Sequence, residues 1–311
     1  MHFHRPISLF LFLSAFCFAS AFANEIEFRS TELAPRLHMI NGVGGFAGGN
    51  MLLATGDDGI VLIDDSIPDL LDKLNKQIAS VTGKPIDFLI NTHVHDDHTG
   101  NNAHFGSGQT IIVGHQNLRL AMKAKDKPKS TLPVVTYSTK MSFHLNGYEF
   151  KLEHLPSAHT DADTYITVPE VNIIHAGDAL FNGMFPYIDL ESGGSLNGYI
   201  RAQQLIFNRA NKDTKIIPGH GPLASKKDIK ASINMLLEAK NLVQVLVDKG
   251  MSEEAVIKAN PLKKFHKDWN WGFITTEKMT RTIFLSLTDS MKTSINGHKH
   301  DHKDKHDHKH D

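Results

Sequence analysis

The chain has 311 residues, of which 41% are hydrophobic and 22% charged, and its formal net charge at pH 7 is -1. Such a near-neutral composition is typical of a soluble globular protein and gives no electrostatic argument for binding nucleic acid or a membrane surface. A single compact α/β domain of this length can bury a large core.

The first 23 residues have the pattern of a cleavable secretory signal peptide. A short polar segment at residues 2–5 precedes the apolar stretch 7–18, and Ala-Phe-Ala at 21–23 forms a small-residue cleavage site. The stretch is too short for a membrane span, so we expect a periplasmic or secreted protein with no membrane anchor after cleavage. Cys17 is the only cysteine, so the mature chain has no disulfide and no thiol to bind zinc.

Three strands and a helix are predicted next. The strand-like segments are rich in β-branched or apolar residues and are separated by glycine-rich turns; they are residues 37–40, 50–55 and 60–63. Residues 68–81 carry apolar side chains at a helical period and stop before Gly83. The apolar run 88–90 then predicts a further strand.

A dense group of metal-ligand residues follows that strand, where residues 92–101 read Thr-His-Val-His-Asp-Asp-His-Thr-Gly-Asn. Alternate side chains of an extended segment point the same way, so His93 and His95 can reach one ion together. A turn that begins at Asp96 lets Asp97 and His98 face a second ion. Imidazole and carboxylate ligands without thiolate suit zinc first, and iron or manganese next. A polar loop whose histidines cap a helix is the alternative, and four ligand-type residues at this spacing argue against it.

The remaining elements alternate between strands and helices. Strands are predicted at residues 110–113, 148–155 and 165–168, the last two half-buried as in a second sheet. Helices are predicted at residues 115–125, 197–211, 226–249 and 275–295. Residues 297–311 consist almost wholly of His, Lys and Asp, which predicts a disordered tail with weak, multivalent affinity for zinc or nickel. A solvated polar tail without a role is the alternative for that segment.

The His-x-His-x-Asp-His motif after an apolar strand resembles the metallo-β-lactamase-fold hydrolases. Three later residues match further ligands of that family in chain order: His159 in the segment 157–161, Asp178 in 175–178 and His220 in 218–221. Asp178 and His220 follow strand-like apolar runs at residues 171–174 and 215–217. The resemblance spans most of residues 37–225. It implies an α+β fold, an αββα sandwich of two mixed sheets flanked by helices, over a domain of residues 24–296.

The resemblance also implies the arrangement of a binuclear zinc site, with iron or manganese as alternatives. The first metal would be bound by His93, His95 and His159, the second by Asp97, His98 and His220, and Asp178 would bridge them. Two such ions share a hydroxide that attacks the substrate, and Asp97 orients that hydroxide and carries a proton to the leaving group. By the same resemblance, Phe46 is the tip of a mobile hairpin over the metals within the glycine-rich loop 42–49; an ordinary glycine-rich hairpin is the alternative.

These expectations describe a periplasmic hydrolase of a small-molecule ester, lactone, thioester or amide, with no nucleic-acid partner. The missing thiol excludes β-lactamases with a cysteine ligand, and the glutathione-binding pattern of glyoxalase II-like thioesterases is not found. Two alternatives stay open: a β-lactamase proper, and a non-catalytic periplasmic protein that binds or stores zinc. The presence of Asp97 favours an enzyme over a storage protein, because a hydrolytic mechanism requires this carboxylate more than metal affinity does.

Several other conspicuous residues have weaker interpretations. Asp96, Asp161 and Asp163 are candidates to accept hydrogen bonds from the ligand imidazoles, as carboxylates near metal sites commonly do. His175 is a candidate for the same outer layer, and we expect Trp269, Trp271 and Phe273 to pack in the core. Six histidines outside the motif are expected to be structural or exposed; they are His38, His104, His115, His144, His154 and His266.

Overall fold

A computed structural model describes residues 25–300, with side chains described for residues 25–288. Two β-sheets pack face to face in this part of the chain, and helices cover their outer faces. The predicted α+β architecture, an αββα sandwich of two mixed sheets, is therefore confirmed.

The first sheet contains the seven strands that come first in the sequence, in the order β1-β2-β3-β4-β5-β6-β7. Strands β1 to β4 pair antiparallel and strands β4 to β7 pair parallel. Their bounds are β1 Glu27–Ala34, β2 Leu37–Val43, β3 Met51–Ala54, β4 Val61–Ile63, β5 Phe88–Ile90, β6 Ile111–His115 and β7 Val135–Tyr137.

The second sheet contains the next five strands in the order β12-β11-β10-β9-β8. Neighbours from β8 to β11 are antiparallel, whereas β11 and β12 are parallel. Their bounds are β8 Lys140–Leu145, β9 Tyr148–His154, β10 Thr164–Val168, β11 Ile173–Phe181 and β12 Lys215–His220. Every residue of β11 is buried, as expected for a strand covered on both faces.

Helices lie on both outer faces and at one end of the sandwich. Their bounds are α1 Leu71–Val81, α2 Asp96–Thr99, α3 Asn102–Gly106, α4 Gln116–Ala124, α5 Leu196–Arg209, α6 Lys226–Asp248, α7 Glu253–Ala259, α8 His266–Trp269 and α9 Thr276–His300. Helix α1 buries Leu74 and Ile78 against the first sheet, and α5 buries Ile206 against the second. Helices α6, α7 and α9 form a further apolar cluster with the end of β11.

Most predicted elements are present with boundaries within a few residues. The sequence analysis did not find β1, β7, β8 and the short helices α3, α7 and α8. In β1 only Phe28 and Leu33 are buried, and β8 has no fully buried residue, so neither has the apolar content that marks a strand. Each of these two strands can be recognised only from its pairing with the neighbouring strand, β1 with β2 and β8 with β9.

The two chain ends stay predictions in part. Residues 1–24 and 301–311 lie outside the described residues, and with them the signal peptide over 1–23 and most of the predicted disordered tail. Helix α9 ends at His300, so it includes the first four residues of the segment 297–311. Of the helices described, none has both the length and the apolar content to cross a bilayer.

Asn50 links the two sheets at the edge where the predicted ligands lie. Its backbone N–H donates to Gly219 O at 2.8 Å, and its side-chain amide donates to Pro218 O and Gly221 O, each at 2.9 Å. His175 Nε2, on β11, donates to Asn50 O at 3.1 Å. One buried residue of the first sheet therefore fixes the position of both parallel strands of the second sheet.

The Asn50→Ala variant tests this link. Removing the amide leaves two carbonyl oxygens without their donor, and we expect the free energy of unfolding to fall by about 1–3 kcal/mol. Asn41→Ala is the matched control, because the Asn41 amide donates only to the neighbouring Gly42 O, and we expect it to cost less than about 0.5 kcal/mol. Urea unfolding with zinc in excess measures both, and equal stabilities of the two variants would contradict the role given to Asn50.

Candidate metal centre

Four of the predicted ligands follow strand β5 of the first sheet. His93 and His95 lie in the short segment between β5 and α2, which bends at residues 92–94, and α2 begins at Asp96, with His98 N–H donating to His95 O at 3.0 Å. This single helical turn reverses the direction of the next two side chains. Asp97 and His98 are thereby placed on the other side of a common centre from His93 and His95, as the sequence predicts.

The remaining three ligands come from the second sheet. His159 lies in the loop between β9 and β10, Asp178 lies within β11, and His220 ends β12. The pairing of β11 with β12 is irregular, with Gly177 opposite Pro218 and Phe181 opposite His220. These irregularities bring the Asp178 and His220 side chains to the same edge of the sandwich.

The first cluster consists of His93, His95, His159 and Asp178. His95 Nδ1 lies 3.1 Å from His93 Nε2 and 2.8 Å from His159 Nε2. Asp178 Oδ2 lies 3.7 Å from His93 Nε2 and 3.4 Å from His159 Nε2. Three imidazole nitrogens and one carboxylate oxygen therefore converge on one point.

The second cluster consists of Asp97, His98 and His220, and the other oxygen of Asp178 faces it. His98 Nε2 lies 3.6 Å from Asp97 Oδ2 and 3.1 Å from Asp178 Oδ1. His220 Nε2 lies 3.2 Å from Asp97 Oδ2 and 3.5 Å from Asp178 Oδ1. Asp178 thus presents one oxygen to each cluster, which is the arrangement of a bridging ligand.

The donor atoms fit two metal ions. Tetrahedral zinc with bonds near 2.0–2.1 Å holds its ligand atoms about 3.4 Å apart, which is close to the separations in both clusters. His98 Nε2 and Asp178 Oδ1 are buried and have no hydrogen-bond partner. Buried polar atoms without partners are rare and call for an explanation, and here each points at a place where a cation would satisfy it.

Charge within the centre is finely balanced. Burial disfavours the Asp178 carboxylate, but the imidazoles of His98, His220, His93 and His159 outweigh it and hold the Asp178 pKa well below its ordinary value. Burial lowers the pKa of His159 to about 4 and that of His93 well below its usual range. His93, His159 and Asp178 are therefore in the forms that bind metal. For His98 and His220, burial opposes the charge, but the Asp178 and Asp97 carboxylates outweigh it and raise the pKa, that of His220 to about 9, so these two rings release a proton when metal binds.

A second layer of hydrogen bonds orients the ligand imidazoles. His98 Nδ1 donates to Asp64 Oδ2 at 2.8 Å, and His95 Nε2 donates to Asp189 Oδ2 at 2.9 Å. His159 Nδ1 donates to Tyr187 O at 2.7 Å. His93 Nδ1 contacts Thr92 Oγ1 at 3.1 Å, and that hydroxyl in turn donates to Asp64.

The prediction that Asp96, Asp161 or Asp163 accepts from ligand imidazoles is wrong. Asp96 pairs with Lys127 Nζ at 2.6 Å, and Asp161 accepts from the Asn117 amide. Asp163 accepts the backbone N–H of His159 at 2.6 Å, not its ring.

His175 and the six discounted histidines join neither cluster. His175 donates to the Asn50 carbonyl, and His115 and His154 stack on each other with ring centroids 3.7 Å apart.

The sequence carried a signal for one of the two missed carboxylates. Asp64 directly follows the apolar segment 60–63, just as the His cluster follows the apolar run 88–90, and β4 and β5 are parallel neighbours. Carboxyl ends of parallel strands meet at one edge of a sheet, so Asp64 could have been placed beside the cluster. Asp189 follows no regular element, and nothing in the sequence pairs it with His95.

Two glycines let the backbone lie against the centre. A Cβ on Gly49 would collide with the His98 ring, and a Cβ on Gly219 would collide with Asp178 Oδ1. Any side chain at these positions would displace a ligand. Glycine is therefore required at both positions, because the backbone there lies in direct contact with a ligand side chain.

A cavity of about 600 Å³ opens onto the metal ligands. The residues that line it are Phe46, Ile67, His95, Asp96, Asp97, Asp178, Phe181, Tyr187, His220, Trp271, Gly272 and Phe273. Phe46 is 56% exposed and its ring stacks on His220 with centroids 6.0 Å apart. The expectation of core packing holds for Trp269 and Trp271, which are both half-buried against the apolar cluster, and is wrong for Phe273, which is 51% exposed. Trp271 and Phe273 also form a wall of the cavity.

Known proteins resemble the chain in sequence and in fold. The profile of the family described as Metallo-beta-lactamase superfamily matches residues 44–220. A solved metallo-beta-lactamase from Pontibacter korlensis gives a TM-score of 0.60 at 18% identity and covers 68% of this chain and 99% of that one. The DIM-1 metallo-beta-lactamase gives 0.59 at 15% identity, with 69% and 100% covered. At these identities the structural likeness concerns the fold.

A curated relative matches a smaller part of the chain. The 2,4-dinitroanisole O-demethylase subunit alpha from Nocardioides sp. (strain JS1661) is 27% identical over 136 residues, which are 42% of this chain. The match spans 41% of the length of that relative. It therefore leaves more than half of that protein without a counterpart here.

Metal stoichiometry tests the two clusters. Protein lacking residues 297–311 should still hold close to two metal ions per chain, because all seven ligands lie outside that segment. Elemental analysis after gel filtration measures this, and one ion or none in the truncated protein would remove the binuclear assignment. Full-length protein is the control and reports any further metal held by the tail.

Asp189→Asn tests the outer layer. The amide oxygen can still accept from His95 Nε2, but the substitution removes the negative charge that strengthens this hydrogen bond, so we expect the affinity of the first site to fall by about 10–100-fold. Asp96→Asn is the matched control, because Asp96 pairs with Lys127 and touches no ligand imidazole. Competition with a chromogenic chelator gives the zinc affinity of each variant. An equal loss of zinc affinity in the Asp96 and Asp189 variants would contradict the role given to Asp189.

Proposed function

Because the chain belongs to the metallo-beta-lactamase superfamily and has a complete His/Asp binuclear site, we propose that it is a periplasmic or secreted dizinc hydrolase. Its substrate in this proposal is a small ester, lactone, thioester or amide. That the protein is a metal-dependent hydrolase of this superfamily rests on the family match and the site together.

One observation carries the proposal: the two clusters share Asp178 and open onto one cavity. His95, Asp97, Asp178 and His220 all line that cavity, so a molecule inside it meets ligands of both clusters at once. A storage site has no need of such an opening. The geometry therefore supports catalysis over the storage alternative.

The donor set supports zinc. Five imidazoles and two carboxylates without thiolate suit zinc, and iron or manganese accept the same ligands. When bound, a pair of such ions lowers the pKa of a water molecule to about 7 and polarises a carbonyl oxygen. No nucleophilic side chain is then needed.

Asp97 is the residue of this chain that handles the proton. Burial opposes its charge, but His98 and His220 outweigh that effect and keep the Asp97 pKa below its ordinary value, so the side chain is ionised at neutral pH. Hydrolysis forms a bond from water oxygen to the carbonyl carbon and breaks the bond from that carbon to the leaving atom. The Asp97 carboxylate accepts the proton of the water and passes it to the leaving atom.

A second candidate reaction is cleavage of an activated aryl ether. The relative from Nocardioides is named for O-demethylation of 2,4-dinitroanisole, an aryl methyl ether, and the cavity here has aromatic walls. A panel on zinc-replete protein separates the candidates: chromogenic esters, thioesters, lactones, a β-lactam and 2,4-dinitroanisole. Turnover of the ether alone would replace the proposed acyl substrates, and turnover of the β-lactam alone would identify a β-lactamase.

The location and the tail are part of the proposal. The segment 1–23 has the pattern of an export signal, and N-terminal sequencing of the mature protein should begin at Asn24. The histidines of residues 297–311 would capture zinc when it is scarce. They are not needed for turnover when zinc is in excess.

Asp97→Asn tests the mechanism. The amide retains one ligand oxygen but loses the charge that accepts the proton, so we expect kcat to fall by at least about a hundredfold at saturating zinc. Asp72→Asn, an exposed residue of α1, is the matched control and should leave kcat unchanged. Metal content is measured on each variant. Near-normal turnover by an Asp97→Asn protein that retains both ions would end the proposed role of Asp97.

A further inference from the structure

The cavity over the metal centre has an unusual division of polar and apolar groups. Apart from the ligands and Asp96, its walls are Phe46, Ile67, Phe181, Tyr187, Trp271, Gly272 and Phe273. Every acidic or basic side chain that lines it, the imidazoles aside, is a carboxylate: Asp96, Asp97 and Asp178. Among its lining residues there is no lysine and no arginine.

Two lysines of the described residues contact residues that line the cavity, and both are engaged there. Lys127 Nζ pairs with Asp96 at 2.6 Å. Lys278 Nζ lies 4.9 Å from the centroid of the Phe273 ring and donates to Phe273 O at 2.8 Å. Neither lines the cavity.

The aromatic rings form a connected wall. Phe273 meets Trp271 at 5.6 Å and Tyr187 at 5.5 Å between centroids, both edge to face. Trp271 also lies 6.1 Å from Phe181, and its indole N–H donates to Phe185 O at 2.9 Å. This hydrogen bond fixes the indole and uses its one donor, so the ring presents an apolar surface. A further aromatic ring can pack against the faces and edges that this wall presents to the cavity.

These observations bear on which substrates bind beside the metals. An anionic group buried against this wall would lose its hydration without gaining a partner, which is costly. A neutral aromatic ring would gain apolar contact on several sides at no such cost. Resting on the proposed hydrolase function, we infer that the site selects neutral esters or lactones with an aromatic group and discriminates against anionic ones.

A matched pair of esters tests this inference: 2-naphthyl acetate and its 6-sulfonate. The sulfonate is far from the scissile bond and is a weak metal ligand, and each rate is divided by its rate with hydroxide alone. We expect corrected kcat/KM for the neutral ester to exceed that for the sulfonate by at least about tenfold. A ratio within about threefold of one would overturn the inference.

Variants locate the discrimination in the cavity wall. Phe273→Arg places a cation at a residue that is 51% exposed, so folding should tolerate it, and the ratio should fall at least about tenfold as the sulfonate gains a partner. Leu120→Arg adds the same charge on the exposed face of α4 and should leave the ratio unchanged. Lys278→Met should also leave it unchanged; a lower rate with the sulfonate alone would show that Lys278 recruits anions and would overturn the inference.

Binding separates failure of this inference from failure of the proposed function. Trp269→Phe leaves Trp271 as the only tryptophan, so its fluorescence reports occupancy of the cavity. Titrations of the zinc-loaded variant use 2-acetylnaphthalene and its 6-sulfonate, neither of which can be hydrolysed. Tighter binding of the neutral ketone without hydrolysis of any ester, thioester, lactone or β-lactam of the panel would end the hydrolase proposal and support the selectivity. Equal binding, or tighter binding of the sulfonate, would overturn the selectivity.

Discussion

The structure depends on one buried carboxylate, Asp178. It is 4% exposed, lies in the middle of a strand with no exposed residue, and has imidazole nitrogens within 3.7 Å of both oxygens. Gathering a buried carboxylate with three buried and two half-buried imidazoles is costly unless their lone pairs meet cations. The glycines beside His98 and Asp178, the Asn50 link and the hydrogen bonds that Asp64 and Asp189 accept all hold these groups in an arrangement that fits metal ions.

Much of the fold and the metal centre could be predicted, because short continuous segments of the sequence contain the apolar runs of the strands and the spacing of four metal ligands. The alternation of His93 and His95, followed by a turn at Asp96, defines two faces within six residues, and the structure has that turn. Strong apolar runs gave β4, β5 and β11. Strand β8 and strand β1 could not be found, because their stability comes from pairing with β9 and β2 rather than from their own composition.

The groups around the metal ligands could not be predicted, for a different reason. Asp189 and Tyr187 reach His95 and His159 from a loop without regular structure, and Trp271 and Phe273 reach the cavity from a segment about fifty residues beyond the last ligand. The tryptophans looked like core residues, since aromatic side chains usually pack inside. Both tryptophans do pack against the core, and only the path of the chain decides that Trp271 also lines the cavity.

The division of the strands has a consequence for how the protein matures. All seven strands of the first sheet precede all five of the second, and each metal takes ligands from both: His93 and His95 with His159, Asp97 and His98 with His220. Neither half of the chain alone contains a complete coordination sphere. A complete set of ligands therefore forms only once the two halves have docked, and a metal ion bound there would join the halves, as a disulfide cannot, because residues 25–300 contain no cysteine.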